Sequence, residues 1–472
     1  MIYNSIDFIL CFPIIFSLYY MIPPHLHKIR NVYLLLVSYL IYAQWCPAHL
    51  LVLIWVSLVT FFAALFVQGI HSTNTRKFYI STLVLLSLMP LLVFKYFNFI
   101  NESITQALAC VGLKFYMPGL NWMIPVGISF FTFQAVGYLL DVYYKRIKPE
   151  KNLIDYLLFV SFFPAIVSGP INKASLLLPQ IKSSRPYFCY EKAVCGLKYL
   201  LWGMFSKVVV ADRVALYVDT VYGDYTIHSG LTCLAASIFY SIQIYADFSG
   251  YSLMALGTGK LLGFELTPNF NRPYFSVSVS DFWRRWHISL STWLKDYVYI
   301  PLGGNRCNKL RNYWNILTTF LVSGIWHGAN WTFVVWGAIH GVSQIVEKML
   351  GLHKNKKRSL MRVLSTFLIV NTAWIFFRMP TIHDSLNIIY KIFTVEKGFS
   401  LYSAVSYHIL VLQVFAIVVL LFKDFTDEFY PQKFKLLNNR RFYIRWCTYL
   451  FLLTSIILAG SFDATQFIYS SF

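Results

Sequence analysis

The sequence predicts an all-α, polytopic integral membrane protein. Hydrophobic residues make up 57% of the 472 residues and charged residues only 13%, whereas soluble domains are about 25% charged. Apolar runs recur along the chain at lengths that cross about 30 Å of hydrocarbon, and helices satisfy their own backbone polar groups in lipid. No long polar stretch separates these runs. We therefore expect one membrane-embedded unit over residues 1–472.

The apolar runs predict roughly eleven transmembrane helices, with re-entrant or interfacial helices in addition. Pro47 is expected to separate the second run from the third, because proline cannot continue helical hydrogen bonding. The run 153–169 is short enough to be spanning or interfacial. The other runs lie near 5–22, 31–45, 48–70, 78–100, 120–141, 195–218, 230–256, 361–378, 405–422 and 444–462.

The charge distribution predicts the orientation. The chain carries 40 Lys and Arg against 20 Asp and Glu, a net charge of +20. The cations form short clusters between apolar runs, which is typical of cytoplasmic loops facing anionic lipid and argues against nucleic-acid binding. The N-terminus is accordingly predicted outside. The clusters include Lys28 and Arg30, Arg76 and Lys77, Lys145 to Lys148, 354–358 and 433–445.

His327 is the first candidate for a functional residue. The apolar stretch 313–350 has basic residues on both sides, so it should cross an even number of times, with His327 near the turn of a hairpin or re-entrant pair. Non-helical backbone at membrane depth must be buried or line a cavity. A neutral imidazole there could act as a general base, with Gly328 allowing close approach. The alternative is a hydrogen-bonded histidine in an aromatic belt.

His287 is the second candidate, within Trp283-Arg-Arg-Trp-His287. An amphipathic helix at the cytoplasmic interface would explain this pattern. A sharper interpretation adds binding of an anionic acyl donor, since guanidinium groups match phosphate geometry, and gives His287 a catalytic or orienting role. The candidate donor- or substrate-binding residues are Arg284, Arg285, Trp283, Arg272, Asn330 and Trp326.

Two further motifs receive modest interpretations. The stretch 301–306, Pro-Leu-Gly-Gly-Asn-Arg, lacks the spacing of a nucleotide-binding loop, so we expect a tight turn with Arg306 as a cytoplasmic anchor. Asp247 lies in an apolar run, where a carboxylate needs a partner, and we expect a cation from 272–306. The eight cysteines form no CxxC pair, and neither a metal nor a bound cofactor is predicted.

Around these residues the chain resembles the membrane-bound O-acyltransferase family, especially its bacterial branch that acetylates alginate or peptidoglycan. The block 269–306 is long and specific. One departure is Leu253, where relatives commonly carry Asp, so no role of that carboxylate carries over. The matching stretches are Ile124 to Gln134, Phe163 to Pro170, Tyr240 to Gly250, Asn269 to Arg306, Trp326 to Gly341 and Phe467 to Tyr469.

The resemblance implies a helical funnel with a catalytic core at about 120–345, in which His327 is the near-invariant histidine and His287 the second signature histidine. It implies an O-acetyltransferase of a bacterial inner membrane that takes acetyl from cytoplasmic acetyl-CoA, a co-substrate, to an extracytoplasmic polysaccharide. An SGNH-type partner protein could complete the transfer. The ending Tyr299 to Arg306 favours acetyl over D-alanyl transfer. D-alanyl transfer from a carrier protein and a transporter or flippase remain alternatives, and the glycan stays open.

Overall fold

A computed structural model describes the chain at residues 3, 5–70, 72–167, 169–185, 187–352, 357–394, 404–462 and 468. Across those residues every regular element is a helix and no strand occurs, which confirms the all-α class. Contacts divide the chain into two compact units, Met1–Gly196 with Thr258–Thr267, and Leu197–Gly257 with Pro268–Phe472. The prediction of a single acyltransferase unit stays a prediction.

The first unit is built mainly from α1 to α9. Their bounds are α1 Ile6–Met21, α2 His27–Ala43, α3 Pro47–Gln68, α4 Thr73–Leu91, α5 Phe97–Cys110, α6 Ile128–Tyr143, α7 Leu153–Ser161, α8 Phe163–Ile166 and α9 Ala174–Lys182. Proline at the first helical position begins α3, as predicted, because its missing N–H is one that a helix start leaves unbonded anyway.

The second unit contains most of the chemistry-bearing residues. Its boundaries fall within α10 Tyr190–Met204 and α12 Gly230–Leu261. The remaining helices are α11 Asp212–Gly223, α13 Val279–Arg285, α14 Ile288–Leu294, α15 Lys309–His327, α16 Trp331–Met349, α17 Leu360–Arg378, α18 Ile382–Phe393, α19 Tyr407–Phe429 and α20 Phe442–Ala459. Wider π-helical turns occur at Leu92–Tyr96, Phe205–Ala211 and Lys295–Tyr299.

Seven helical segments of the described chain are long and apolar enough to cross a membrane, or eight if the bent pair formed by Ile6–Met21 and Pro24–Ala43 is one span. The protein is therefore multi-pass, while the count of eleven is not confirmed. The apolar helices Ile128–Tyr143 and Leu153–Ile166 are shorter than the segments counted. The seven are Pro47–Gln68, Thr73–Cys110, Tyr190–Gly223, Gly230–Leu261, Leu360–Arg378, Tyr407–Phe429 and Phe442–Ala459.

The predicted run 120–141 begins too early. Its helix starts only at Ile128, after Gly127 in the left-handed region with φ of 73°. A Cβ at Gly127 would lie 2.3 Å from the carbonyl oxygen of Ile166, so both the conformation and the close approach require glycine. Hydropathy alone does not show where the helix begins within this apolar run.

The basic loops of the first unit differ in how they use their cations. Arg76, at the start of α4, donates to the carbonyl of Tyr143 across 2.7 Å, so this end of α4 lies beside the end of α6, as the loop charges predict. Arg30 is instead fully buried and donates to the carbonyls of Ile22 and Arg185. It therefore stabilises the fold as well as adding charge.

Candidate active site

A hairpin of α15 and α16 carries His327 at its turn, as the flanking charges predict. The helices pack closely because glycines face each other's backbone. A Cβ at Gly324 would lie 2.2 Å from the carbonyl oxygen of Phe333, and one at Gly337 would lie 2.4 Å from that of Phe320. His327 is the last residue of α15 and is 2% exposed. The turn therefore holds an imidazole away from bulk solvent.

Asn330 ends this turn as a helix cap. Its side-chain oxygen accepts the N–H of Thr332 at 3.0 Å, at the start of α16, and its amide donates to the carbonyl of Pro380 at 2.9 Å. Asn is among the preferred residues at this position because it satisfies an otherwise unbonded N–H. These contacts support a structural role for Asn330, which was predicted from the sequence to bind the donor or substrate.

His287 sits at a sharp bend between α13 and α14. Its φ of 42° lies in the left-handed region, which is uncommon for a residue other than glycine. Asn269 clamps the bend, since its carbonyl accepts the N–H of Ile288 at 2.9 Å and its side chain accepts that of Ser289 at 3.2 Å. His287 is fully buried, and burial lowers its pKa to about 3. The side chain is therefore neutral at physiological pH.

The two histidines converge in an aromatic cluster. The ring centroids of His287 and His327 are 6.3 Å apart. Trp326 contacts both rings, at 5.8 and 4.9 Å, and Trp336 contacts His327 at 4.9 Å. Trp326 is buried whereas Trp331 is 53% exposed. An interfacial aromatic belt could therefore explain Trp331 but not Trp326.

A cavity of about 1120 Å³ lies next to this cluster. Trp283 lines it. Among the residues that the structure describes, four cations from separate parts of the second unit also line it, and no Asp or Glu does. The cavity reaches Ile288, which follows His287, and Ser323, which lies one helical turn before His327. The lining cations are Arg284, Lys295, Arg306 and Lys348. The cavity therefore gathers four cations near the chain positions of the two buried histidines, which are not themselves among its lining residues.

The glycine turn at 301–306 forms one wall of the cavity. Gly303 and Gly304 have φ of 114° and 56°, which glycine tolerates without strain. Asn312 fixes the turn by donating to the carbonyl of Gly304 at 2.7 Å and to the hydroxyl of Tyr299 at 2.8 Å. Lys348 donates in turn to Asn312. The predicted tight turn is confirmed, and the residue expected to be an anchor, Arg306, lines the cavity.

Arg272 and Arg285 lie in a different electrostatic environment from Arg284. The carboxylate of Glu428, which is almost fully buried, accepts from Arg272 at 2.6 Å and from Arg285 at 2.9 Å, and from Arg358 as well. Arg285 also pairs with Asp281 at 3.2 Å. Neither Arg272 nor Arg285 is among the lining residues of the cavity. The structure thus places the adjacent arginines in separate networks.

The prediction for Asp247 is wrong in its partner. Its carboxylate pairs with Lys207 on the π-helical turn before α11, at 2.6 Å, and Lys207 also pairs with Asp212 at 2.8 Å. The second oxygen of Asp247 accepts the N–H of Ile468 at 2.9 Å. The buried lysine was overlooked because its two carboxylates come from different helices. A lysine within an apolar run was the available signal.

Sequence reasoning also missed His340. This residue of α16 is fully buried, and its ring contacts those of Trp283 at 5.1 Å and Trp336 at 4.9 Å. In the part of the chain that the structure describes, neither ring nitrogen of His340 has a hydrogen-bond partner. The sequence signal for this residue was its position four residues after Trp336, because residues i and i+4 share a helix face and the two side chains are therefore neighbours.

Together these features define an integral membrane protein in which a cationic cavity adjoins a buried histidine pair. The model of the MBOAT, membrane-bound O-acyltransferase family, matches residues 38–382. The chain belongs to the membrane-bound O-acyltransferase family and is an O-acyltransferase.

Three relatives illustrate the range of the similarity. A protein of Pseudomonas syringae pv. tomato named "Probable alginate O-acetylase AlgI" is 37% identical over 81% of this chain and 73% of its own length. The peptidoglycan O-acetyltransferase of Helicobacter pylori is 33% identical over 82% and 79%. The teichoic acid D-alanyltransferase of Streptococcus thermophilus is 29% identical over 51% and 61%.

Proposed function

We propose that this protein moves acetyl from cytoplasmic acetyl-CoA across the membrane for O-acetylation of an extracytoplasmic polysaccharide. The observation that carries the proposal is the cavity, which among the described residues is lined by four cations and by no carboxylate, and which reaches Ile288 and Ser323 near the histidine pair. Coenzyme A is polyanionic, and charge-assisted hydrogen bonds are the strong ones. The relatives named for O-acetylation, of alginate and of peptidoglycan, match over more of the chain than the D-alanyltransferase does.

His327 supplies the general base in this proposal. Its imidazole takes the proton of an acceptor hydroxyl while that oxygen attacks the thioester carbonyl. The carbon–sulfur bond then breaks, and the departing thiolate takes up the proton, so the products are an acetyl ester and free CoA. The ring centroid of His287 lies 6.3 Å from that of His327, and His287 is neutral. It orients the reacting groups without placing a second positive charge beside the base.

The other candidate residues divide between binding and support. Arg284 and Trp283 line the cavity and bind the donor, while Trp326 packs against both imidazoles. Arg272 lies in the loop before α13, and Arg285 lies at the end of α13. Both pair with Glu428 of α19 and so attach this region to α19. Asn330 shapes the turn after His327. No cofactor or metal takes part in the proposed reaction.

The cellular setting follows from the same proposal. The protein lies in a bacterial inner membrane with its N-terminus outside, so that the basic loops and the donor cavity face the cytoplasm. The acceptor is a glycan hydroxyl, reached directly or through an SGNH-type partner protein.

Single cysteines introduced at 28, 77 and 357 should then react only with reagents applied from the cytoplasm, and those at 105 and 390 only with reagents applied from outside. The reverse pattern would contradict the proposed orientation.

Cys307 offers a direct test of the donor site. Its thiol lies beside the glycine turn, 3.4 Å from the carbonyl oxygen of Gly304, and is partly exposed. In a chain that retains only Cys307, acetyl-CoA should slow alkylation of this thiol. A chain that retains only the exposed Cys447 is the control and should react at the same rate with or without donor. Equal protection of both, or of neither, would argue against the cavity as the donor site.

Two competing functions make different predictions for purified protein. A transporter or flippase would not release free CoA from acetyl-CoA. A D-alanyltransferase would use a D-alanyl carrier protein in preference to acetyl-CoA. We expect acetyl-CoA to be consumed with release of CoA, measured by chromatography. Release only with the D-alanyl carrier protein would replace acetyl transfer by D-alanyl transfer as the function.

A further inference from the structure

One stripe of α16 leads from the cavity toward the buried histidines. Lys348 and Gln344 both line the cavity, and His340 is the next residue inward at the same four-residue spacing. Trp336 follows one turn further and contacts both His340 and His327, each at 4.9 Å between ring centroids. Residues four apart on a helix lie on one face. His340 therefore lies between the cationic cavity and the proposed general base.

In the described part of the chain, five aromatic rings contact the ring of His340. The rings of Trp283 and Phe320, both of which line the cavity, lie 5.1 and 6.3 Å from it. Phe282 is stacked parallel to it at 6.3 Å. The ring contacts of His340 within the described residues are all with Phe or Trp, and Trp336 contacts both His340 and His327. A polar ring at this place gains nothing from its packing that Phe would not supply.

The imidazole nitrogens of His340 are the unexplained feature. Both are buried, and neither has a hydrogen-bond partner within the residues the structure describes. Leaving a buried polar group unbonded is destabilising, because the group has lost its hydrogen bonds to water. His340 lies directly behind two residues of the cavity wall, Trp283 and Phe320, where a donor or acceptor group of a bound molecule would satisfy these nitrogens.

We propose that His340 binds the thioester-bearing arm of the acyl donor on its way from the cationic cavity to His327. The arm of coenzyme A carries two amides and the thioester, all of which offer carbonyl oxygens, and a neutral imidazole has one N–H to donate and one nitrogen to accept. The four cations bind the phosphates at the other end. This inference rests on the proposed function and adds a second subsite to the same cavity.

The experiment compares two donors that differ only in the phosphate-bearing part. S-Acetylpantetheine keeps the arm and the thioester but lacks the nucleotide of acetyl-CoA. His340→Phe should lower kcat/KM about tenfold for both donors, the loss expected for roughly one hydrogen bond. Arg284→Gln, which removes one lining cation, should lower kcat/KM by a much larger factor for acetyl-CoA than for S-acetylpantetheine.

Two further variants separate binding from packing. His340→Gln restores a side-chain N–H and should recover a large part of the activity lost in His340→Phe. Trp374→Phe alters the same aromatic cluster, 6.5 Å from His340 between ring centroids, without touching the cavity lining, and should change neither donor's kcat/KM by more than twofold. The melting temperature of His340→Phe should equal or exceed that of the wild type, because an apolar ring of similar shape removes the unbonded nitrogens.

The outcomes decide between the inference and its alternatives. Unchanged kinetics in His340→Phe, an equal loss in Trp374→Phe, or a loss accompanied by a lowered melting temperature and no recovery in His340→Gln would each overturn the role of His340. If His340→Phe fails to fold, the kinetics of His340→Gln relative to the wild type on the two donors decide instead. Failure of the proposed function shows separately, because the wild-type protein would then release no CoA from acetyl-CoA.

Discussion

Arg285 donates to the buried carboxylate of Glu428 across 2.9 Å, while the adjacent Arg284 faces the cavity. Both belong to the last turn of α13, where consecutive residues point about 100° apart around the helix axis. The two adjacent arginines therefore have different roles. Arg285 stabilises the fold through Glu428, and Arg284 lies in the cavity proposed to bind the donor. A substitution at each position should have a different consequence.

Arg284→Gln should raise the apparent KM for acetyl-CoA tenfold or more with little change in melting temperature. A charge-assisted hydrogen bond contributes about 1.5–3 kcal/mol, which matches that factor. Arg284→Lys should recover only part of the loss, because an ammonium keeps the charge without the guanidinium fork. Steady-state kinetics on purified protein measure this. A normal KM in Arg284→Gln would contradict the assignment of Arg284 to the donor.

Arg285→Gln should instead lower stability and leave the KM of the surviving folded protein within about twofold of the wild type. The change removes one of three arginines from Glu428 and also breaks the pair with Asp281; losing such a partner typically costs about 1–3 kcal/mol. Melting temperature and folded yield are the measurements. A raised KM at unchanged stability would return Arg285 to the donor site.

The hairpin of α15 and α16 should not tolerate a side chain at Gly324. Gly324→Ala places a Cβ 2.2 Å from the backbone oxygen of Phe333, so the helices must separate and His327 must shift. Overpacking of this kind typically costs about 1–3 kcal/mol, and we expect acetyl transfer to fall as well. Gly223→Ala is the control, since its Cβ meets nothing within 4 Å. Equal behaviour of the two variants in melting temperature and activity would refute the packing argument.

His287 should make the protein less stable as the pH falls. Its pKa in the folded protein is about 3, below the ordinary 6.5, so the unfolded chain binds a proton that the folded chain excludes. The stability this provides is complete above pH 6.5 and is lost progressively toward pH 3, amounting to about 2 kcal/mol between pH 7 and pH 5. Melting temperatures at the two pH values measure it.

The matched variants isolate this contribution. His287→Asn does not titrate, and Asn tolerates the left-handed backbone, so its melting temperature should depend less on pH than that of the wild type. His383, on the surface of α18, supplies the control, and His383→Asn should retain the wild-type dependence. If His287→Asn keeps the full pH dependence, His287 is not buried as a neutral side chain.

Much of this organisation could be predicted from sequence. Apolar run lengths and loop charges indicated the helical membrane fold and the turn at His327, because hydropathy and the positive-inside rule are local properties. The resemblance in 269–341 indicated both histidines. Pairings between distant elements could not be predicted, which is why Asp247 received the wrong partner and Arg284 and Arg285 were treated as one unit. His340 was overlooked because a lone histidine on an apolar helix face usually packs in a core.

The central claim is that His327 is the base for acyl transfer from acetyl-CoA bound in the cationic cavity. The most direct measurement compares CoA release from acetyl-CoA by purified wild-type protein and by His327→Ala, in the same lipid and with an acceptor glycan. General bases contribute about 10²–10⁴-fold. The account predicts a loss of that size in protein that is still folded and in which donor still protects Cys307. Retention of more than about a tenth of the wild-type rate, well above what loss of a general base allows, would contradict it.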